Sequence, residues 1–317
     1  MTRLMIVGLG RQGQRHLRAV QQVPGVDVVA TVDPLAADTG AAPHFGTVDE
    51  ALERAPADAA IVATPSSLHV AVGRQLLEAG VPTLIEKPIA SSVEDARDLV
   101  KHAETHNVLL ATGHVERFNP AVRLVHNLLE QGRLGRPVAF SFRRVGLPPP
   151  GPVDVSVVHD LAVHDIDVFA LLTGAAPELA GASGWPASGA IESAHILLLA
   201  GGAQGLVEVN WRTPVRLRHF TITTESLYVE ANYTTQRVEL VEASDPTEFI
   251  DFEEFQSHYG SARRVQLEAR PAEPLVLELA AFVGAVRGEG LGALATGVDG
   301  LRALEIAEQS VERIRGG

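Results

Sequence analysis

Apolar positions come in short continuous runs through the first third of the chain, separated by stretches with helical spacing. Leu4-Met5-Ile6-Val7 is the first run. A run apolar at every position suits a strand buried on both faces. A glycine-rich turn at 8–13 follows, then a helical pattern over 14–22 with Leu17 and Val20 inward. Residues 26–32 form a second run, ending at Asp33-Pro34. Thr47-Val48-Asp49-Glu50 has the capping-box pattern and opens a short helix. Residues 59–63 read as a third strand, after which Thr64 is expected to cap a helix with Pro65 at its first position. Leu68, Val72, Leu76 and Ala79 form that helix's stripe, and Gly80 closes it. Residues 83–85 are a fourth strand. Ser91-Ser92-Val93-Glu94 reads as a second capping box for a helix running to about His106, and 108–111 are a fifth strand. Strand and helix alternating in this way predict a doubly wound parallel sheet, a Rossmann-type α/β unit whose ligands bind beyond the carboxyl ends of the strands.

After Asn119-Pro120 the texture changes. Val122, Val125, Leu128 and Leu129 mark a helix, 138–145 a strand, and 161–172 a helix stopped by Gly174. Between the last two lies a proline-rich loop, 148–152. From 192 to 241 the pattern turns to period two, as in Leu206-Val207-Glu208-Val209-Asn210-Trp211, which predicts strands with one covered face. Helices near 275–286 and 300–314 close the chain. The expected organisation is a nucleotide-binding Rossmann domain at 1–118 and an α+β domain at 119–317 with a mostly antiparallel open sheet. The 300–314 helix is a candidate to pack back on the first domain.

At 317 residues the chain is long enough for two cored domains. Asp plus Glu number 39 against 26 Lys plus Arg, a net charge of −13, which argues against nucleic acid and anionic membrane as partners. No cysteine is present, which excludes disulfides, thiol nucleophiles and Cys-ligated metal and suits a reducing compartment. No apolar run reaches the ~18 residues of a membrane span. The short apolar start reads as a strand rather than a signal peptide, so the expected location is cytoplasmic.

Gly8-Leu9-Gly10-Arg11-Gln12-Gly13 is a G-x-G-x-x-G turn set between a strand and a helix, and Asp33 follows 20 residues after Gly13. Gly8 permits the tight turn, Gly10 the close approach of a pyrophosphate, and Gly13 close packing of helix on strand. The helix N-terminus, with Arg11 and Gln12 in its first turn, offers N–H groups to phosphate. Asp33 would accept from ribose hydroxyls and repel a 2′-phosphate. Pro34-Leu35 supplies no basic residue to hold one, so NAD is favoured over NADP.

Three further motifs accompany this loop: Ala63-Thr64-Pro65-Ser66-Ser67-Leu68-His69, Glu86-Lys87-Pro88, and 159–167 with Asp160 and His164. Together they resemble the Gfo/Idh/MocA family of sugar and polyol dehydrogenases over nearly the whole chain. The resemblance implies a catalytic Lys87 before a cis-proline at Pro88, with Asp160 and His164 completing the site. It also places Thr64, Pro65, His69 and Glu86 near the cofactor. From the residues alone, i,i+4 spacing puts Asp160 and His164 on one helix face. Alcohol oxidation needs a base for the hydroxyl proton and a nicotinamide for the hydride. An imidazole titrates near neutrality, which suits His164 as base. Lys87 can hold the oxygen and relay the proton, and Asp160 can orient the substrate. Metal ligation by the cluster around His159 is disfavoured, because His159 and His164 are i,i+5 and diverge on a helix. His16 reads as an ordinary helix residue, and Asp165 and Asp167 as capping, pairing or supporting groups.

Residues 113–120, 145–167 and 228–236 resemble the branch that contains UDP-N-acetylglucosamine 3-dehydrogenases, which oxidise the sugar 3-hydroxyl with NAD. The resemblance adds Arg117 and Asn119 to Lys87, Asp160 and His164 as substrate-binding candidates. Arg117, Arg123, Arg143 and Arg144 are candidate diphosphate partners. Residues 148–154 carry no basic group, a departure from many relatives. A myo-inositol or other polyol dehydrogenase, a sugar-to-sugar transfer with recycled cofactor, and a non-catalytic dinucleotide sensor are the alternatives. The expected assembly is a homodimer or homotetramer through the second-domain sheet.

Overall fold

The computed structural model describes residues 1–316 other than 36–39, 41, 149–155, 188–189, 243–250 and 261–262. The described chain forms two compact units, Met1–Phe118 with Ala272–Glu308, and Asn119–Pro271 with Gln309–Gly317.

The first unit begins β1 (Thr2–Val7), α1 (Arg11–Val20), β2 (Val26–Val32), β3 (His44–Phe45), α2 (Val48–Arg54), β4 (Ala59–Val62) and α3 (Ser66–Glu78). It continues with β5 (Thr83–Glu86), α4 (Val93–His106), β6 (Leu110–Gly113) and a 3₁₀ turn, Val115–Phe118. The six strands are parallel in the order β3-β2-β1-β4-β5-β6. The order reverses between β1 and β4, the position at which doubly wound sheets bind ligands. Burial explains the unbroken apolar runs. Met5, Val7, Ala60, Val62 and Ile85 face one layer, while Leu4, Ile6, Ala59, Ile61 and Leu84 face the other. Thr47 caps α2 by accepting from the Glu50 N–H at 3.3 Å, as its sequence predicts. At α4 the cap is Ser92, which accepts from the Asp95 N–H at 3.1 Å, one residue later than the Ser91-to-Glu94 box suggests. Thr64 does not cap α3; Pro65 occupies that position in extended backbone, and α3 starts at Ser66.

The second unit contains α5 (Pro120–Glu130), β7 (Pro137–Val145), one π-helical turn (Val158–Ala162), α6 (Val163–Thr173), β8 (Glu178–Ala187), β9 (Ala190–Ala200) and β10 (Ala203–Asn210). It continues with β11 (Leu217–Thr224), β12 (Leu227–Asn232), β13 (Arg237–Glu242), α7 (Phe252–Gly260) and β14 (Arg264–Glu268). The sheet order is β14-β13-β12-β11-β7-β10-β9-β8. Only β7 and β10 pair in parallel; the remaining neighbours are antiparallel. Val207, Val209 and Trp211 point inward, as period two requires. Phe169 of α6 meets Phe140 edge-on with ring centres 5.3 Å apart, and Gly205 keeps β10 clear of the same ring. The alternating-sheet fold class is therefore as expected. The two-residue β3 and the α7–β14 segment carry too little periodicity to be seen in advance.

The last two helices, α8 (Pro274–Val286) and α9 (Gly297–Gly316), differ most from expectation. Residues 272–308 pack within the first unit, whereas the sequence reading assigned them to the second with only the last helix as a candidate to return. Leu275, Leu279 and Phe282 of α8 cover the layer with Leu4, Ile6 and Leu17. Leu304, Leu301 and Val298 of α9 lie against the opposite layer. An apolar stripe states that a helix is covered, not which sheet covers it. Two glycines allow the approach of α9. A Cβ at Gly297 would lie 2.7 Å from Leu110 Cδ2, and one at Gly300 2.3 Å from Thr112 Oγ1. Gly300→Ala is therefore expected to lower the thermal midpoint by an overpacking cost of ~1–3 kcal/mol. Adding Thr112→Ala should recover part of the loss. An unchanged midpoint for Gly300→Ala, read by calorimetry, contradicts this packing.

Candidate active site

In the first unit the site residues arise where strands end. Val7 leads into Gly8, Val32 into Asp33, and Val62 into Ala63 and Thr64. β5 ends at Glu86 before Lys87. Gly8 has φ +92°, and a Cβ there would come within 2.7 Å of the Ala63 carbonyl and the Thr64 nitrogen. A Cβ at Gly13 would lie 1.8 Å from the Gly8 carbonyl oxygen. Both positions therefore require glycine for the turn itself. Gly10 is different: nothing lies within 4 Å of its would-be Cβ. It stands in extended backbone at the start of α1 with no side-chain cap. Arg11 is exposed beside it and Gln12 is half-buried. Open space in front of uncapped helical N–H groups fits a phosphate group. Asp33 is fixed by two backbone N–H groups, Leu9 donating to Oδ2 at 2.8 Å and Leu35 to Oδ1 at 2.9 Å. The Thr64 hydroxyl is buried with no hydrogen-bond partner among the described residues. These features fit a dinucleotide: an open phosphate cradle, a fixed carboxylate for ribose, and an unsatisfied hydroxyl one strand away.

Glu86, 9% exposed, is the most connected of these residues. Its Oε1 accepts from Gln12 Nε2 at 2.9 Å and from His16 Nε2 at 2.8 Å, and its Oε2 from the Lys87 N–H at 3.2 Å. Burial works against the charge on Glu86. The hydrogen bond and charge of His16, the Gln12 amide and the Lys87 charge outweigh it, so the carboxyl sits below the ordinary glutamate range. Glu86 is therefore an internal brace that reaches the glycine loop through Gln12. The Lys87–Pro88 peptide is cis, as the resemblance implies. His69 is buried, with Nδ1 2.8 Å from the Pro88 carbonyl oxygen and Nε2 3.0 Å from that of Thr64. Burial lowers the pKa of His69, against the pull of these two carbonyls and of Glu86. Its ring ties the Lys87-Pro88 turn to the start of α3 and contributes to the site by holding backbone. Arg117 is buried, with Nη2 3.4 Å from Asp299 Oδ1. That ion pair, rather than a displayed guanidinium, is its geometry here.

In the second unit, Asp160 lies on the π-helical turn and His164 in the first turn of α6; both are half-buried. π turns concentrate at functional sites. His159 contacts the Ser156 hydroxyl through Nδ1 at 2.8 Å. Among the described residues no group of three His, Asp or Glu side chains is arranged to hold a metal. Asp165, fully buried beside His164, accepts from Arg144 Nε and Nη2, both at 2.9 Å, and from the Tyr233 hydroxyl at 3.0 Å. The Arg144 guanidinium also lies over the Tyr233 ring at 4.6 Å. Arg144, a candidate phosphate ligand in the sequence, is thus a buried anchor for α6, and Asp165 is a supporting group as expected. Arg143 pairs with Glu208 at 2.9 Å. Asn119, a candidate substrate ligand, caps α5 by accepting from the Ala121 N–H at 3.1 Å and donates to the Tyr233 carbonyl at 3.0 Å. Its two polar ends serve the fold of the unit.

From the sequence, His16 reads as an ordinary helix residue, Arg144 as a diphosphate partner, and Tyr233 has no role of its own. Their bonds to Glu86 and Asp165 come from the structure. The one available signal was the i,i+4 pairing of Gln12 and His16 on α1, which places two polar groups on one face. Their common partner lies some 70 residues away and is invisible to periodicity.

A model of the oxidoreductase family with an NAD-binding Rossmann fold matches residues 2–114, and a model of the GFO/IDH/MocA C-terminal domain matches 122–229. The UDP-N-acetylglucosamine 3-dehydrogenase of Acidithiobacillus ferrooxidans is 34% identical over 177 residues. That stretch covers 54% of this chain and about half, 54%, of that relative. The rhizopine catabolism protein MocA of Rhizobium meliloti is 30% identical over 67% of this chain and 72% of its own length. A solved structure of the Acidithiobacillus ferrooxidans enzyme superimposes with a TM-score of 0.85 at 24% identity, covering 99% of this chain and 98% of that one, which shows a shared fold. With both halves matched and the glycine loop, Glu86-Lys87-Pro88 turn and Asp160/His164 helix in place, the chain belongs to the GFO/IDH/MocA family of oxidoreductases, whose first domain binds NAD.

Proposed function

We propose that this chain is an NAD-dependent dehydrogenase that oxidises a secondary hydroxyl of a sugar, with a nucleotide sugar such as UDP-N-acetylglucosamine, at its 3-hydroxyl, as the leading substrate. The observation that carries the reading is the place and identity of Lys87. It stands at the carboxyl end of β5, and its backbone N–H is held by the same carboxylate that holds the glycine loop. It is also one of only two lysines, the other being Lys101, among 26 basic residues. An arginine keeps its proton under all ordinary conditions, whereas a lysine can release one. A chain that otherwise uses arginine places its amine where proton relay is needed.

When bound, NAD supplies the acceptor for the hydride from the alcohol carbon. The remaining work falls to this chain's side chains. His164 is the final base for the hydroxyl proton as the carbon–oxygen double bond forms. The Lys87 ammonium holds the oxygen and serves as the relay, giving one of its own protons to His164 as it takes the hydroxyl proton. Asp160 orients the neighbouring hydroxyl. Asp33, with both oxygens fixed by backbone N–H groups, receives the ribose hydroxyls. The UDP-sugar choice is supported by the resemblance of residues 113–120 and by the 34% identical relative. A cytoplasmic setting is part of the same reading, since nucleotide sugars and NAD are metabolites of that compartment.

The assembly we infer is a homodimer or homotetramer through the outer face of the eight-stranded sheet. Val138, Leu197, Leu199 and Leu206 stand on that face, each 40–46% exposed. Their strands β7, β10 and β9 are consecutive neighbours, so the four side chains form one apolar patch. Such patches mark association sites.

Two outcomes test these statements. Mixed with NAD and a panel of UDP-sugars, glucose and inositols, the protein should produce NADH with a UDP-sugar. Lys87→Ala should then lower kcat by ~10²–10⁴ while still binding NADH. A panel response confined to inositols transfers the proposal to polyols, and a Lys87→Ala variant as fast as the parent removes Lys87 from the chemistry. Light scattering should give two or four times the chain mass, and a strictly monomeric mass contradicts the sheet-face assembly.

A further inference from the structure

One buried acid–imidazole pair is left over once the proposed chemistry has been assigned. His16 is 0% exposed, in the middle of α1, and its Nε2 lies 2.8 Å from Glu86 Oε1. The carboxylate accepts only, so this ring nitrogen is the donor. The same oxygen receives Gln12 Nε2 at 2.9 Å, and the other receives the Lys87 N–H at 3.2 Å. β6 is shaped around this carboxylate: a Cβ at Gly113 would lie 3.2 Å from Glu86 Oε2 and 3.3 Å from Glu86 Cα. Glu86 is thus packed from one side by Gly113 and bonded from the other by α1. Packing closes the Gly113 side, and on the other side the donors of α1 set where the carboxylate stands.

We propose that His16 is a positioning residue, which sets the place of Lys87 by holding the Glu86 carboxylate to which the Lys87 backbone is bonded. The inference rests on the reading of Lys87 as the proton-relaying amine. A buried carboxylate with two side-chain donors on one oxygen has a fixed plane, and that plane fixes where its second oxygen meets the Lys87 N–H. Without the imidazole, Gln12 alone restrains the oxygen, and Gln12 belongs to the loop that faces the phosphates. Lys87 would then shift with every movement of that loop. The charged groups near Glu86 are His16 on α1, Lys87 beside it and His69 on α3. Among them His16 alone has a side chain hydrogen-bonded to the carboxylate and no part in the proposed chemistry. This separates a positioning role from a chemical one.

The scarcity of lysine makes the test direct. Reductive ¹³C-methylation of the whole chain labels Lys87, Lys101 and the N-terminus, and Lys101→Arg assigns the signals. His16→Leu removes the donor at similar bulk, while His16→Gln restores an amide donor at similar reach. The expected result is a displaced or broadened Lys87 methyl signal in His16→Leu, with Lys101 unmoved, and a signal near its original position in His16→Gln. In steady state, His16→Leu should lower kcat by about tenfold. KM for the sugar and NADH affinity, measured by fluorescence, should stay within about threefold. His16→Gln should recover most of kcat. A Lys87 signal unmoved in His16→Leu overturns the proposal. So does an equal displacement in both variants, since that follows from lost packing rather than a lost donor. If the parent protein oxidises none of the panel alcohols, the functional reading fails, and the NMR comparison still decides the positioning role.

Discussion

Burial of the parallel sheet on both faces is the constraint from which the rest of the first unit follows. β4 and the inner stretches Leu4–Val7 of β1 and Leu84–Ile85 of β5 are apolar throughout because each side chain, up or down, enters a helix-covered layer. Such strands have no place for chemistry along their length. Polar and conformationally special residues are therefore displaced to the first positions beyond the sheet. Gly8, Asp33, Thr64, Lys87 and His114 are each the first or second residue after a strand. The carboxyl edge becomes a row of functional positions held by a rigid layer, and the reversal of strand order between β1 and β4 opens that edge to a ligand.

Within that edge the fixed points are backbone groups and one carboxylate. Asp33 is oriented by two N–H groups, His69 spans two carbonyls, and Glu86 gathers Gln12, His16 and the Lys87 N–H. Glu86 is costly to bury, and breaking one of its bonds would leave a charge without full compensation. Such an ion makes a poor contributor to stability and a good determinant of geometry. The second unit repeats the device with different residues. Asp165, one position after His164, is clamped by Arg144 and Tyr233, so the helix carrying His164 has its own buried anchor. In both units a residue adjacent in sequence to the proposed acid–base group is the anchored one.

Much of this was legible in the sequence where a single local cause acts. The β2 run at 26–32 and the end of α4 at His106 coincide with the observed elements, because unbroken apolar residues and caps are local signals. The G-x-G-x-x-G loop was legible because Gly8 and Gly13 are required by contacts within a few residues or the next strand. What stayed hidden depends on distant partners. His16 reads from the sequence as an ordinary helix residue, and nothing local sets it against Glu86. Arg117 and Asn119 came into the substrate set through resemblance, and the fold engages them with Asp299 and with Tyr233 and the α5 cap. The return of residues 272–308 to the first unit was invisible for the same reason: Gly297 and Gly300 announce close packing only once Leu110 and Thr112 are known to lie opposite.

The central claim is that the carboxyl edge of the first sheet is an NAD site, and Gly10 tests it most directly. Its backbone is extended and a Cβ there meets no protein atom, so Gly10→Ala should fold like the parent and obstruct only what enters the cradle. Calorimetric titration with NADH should show at least a tenfold weaker affinity, about 1.4 kcal/mol. The thermal midpoint of the free protein should move by no more than the ~0.5 kcal/mol typical of exposed positions. An NADH affinity equal to the parent's, at an unchanged midpoint, would contradict the account.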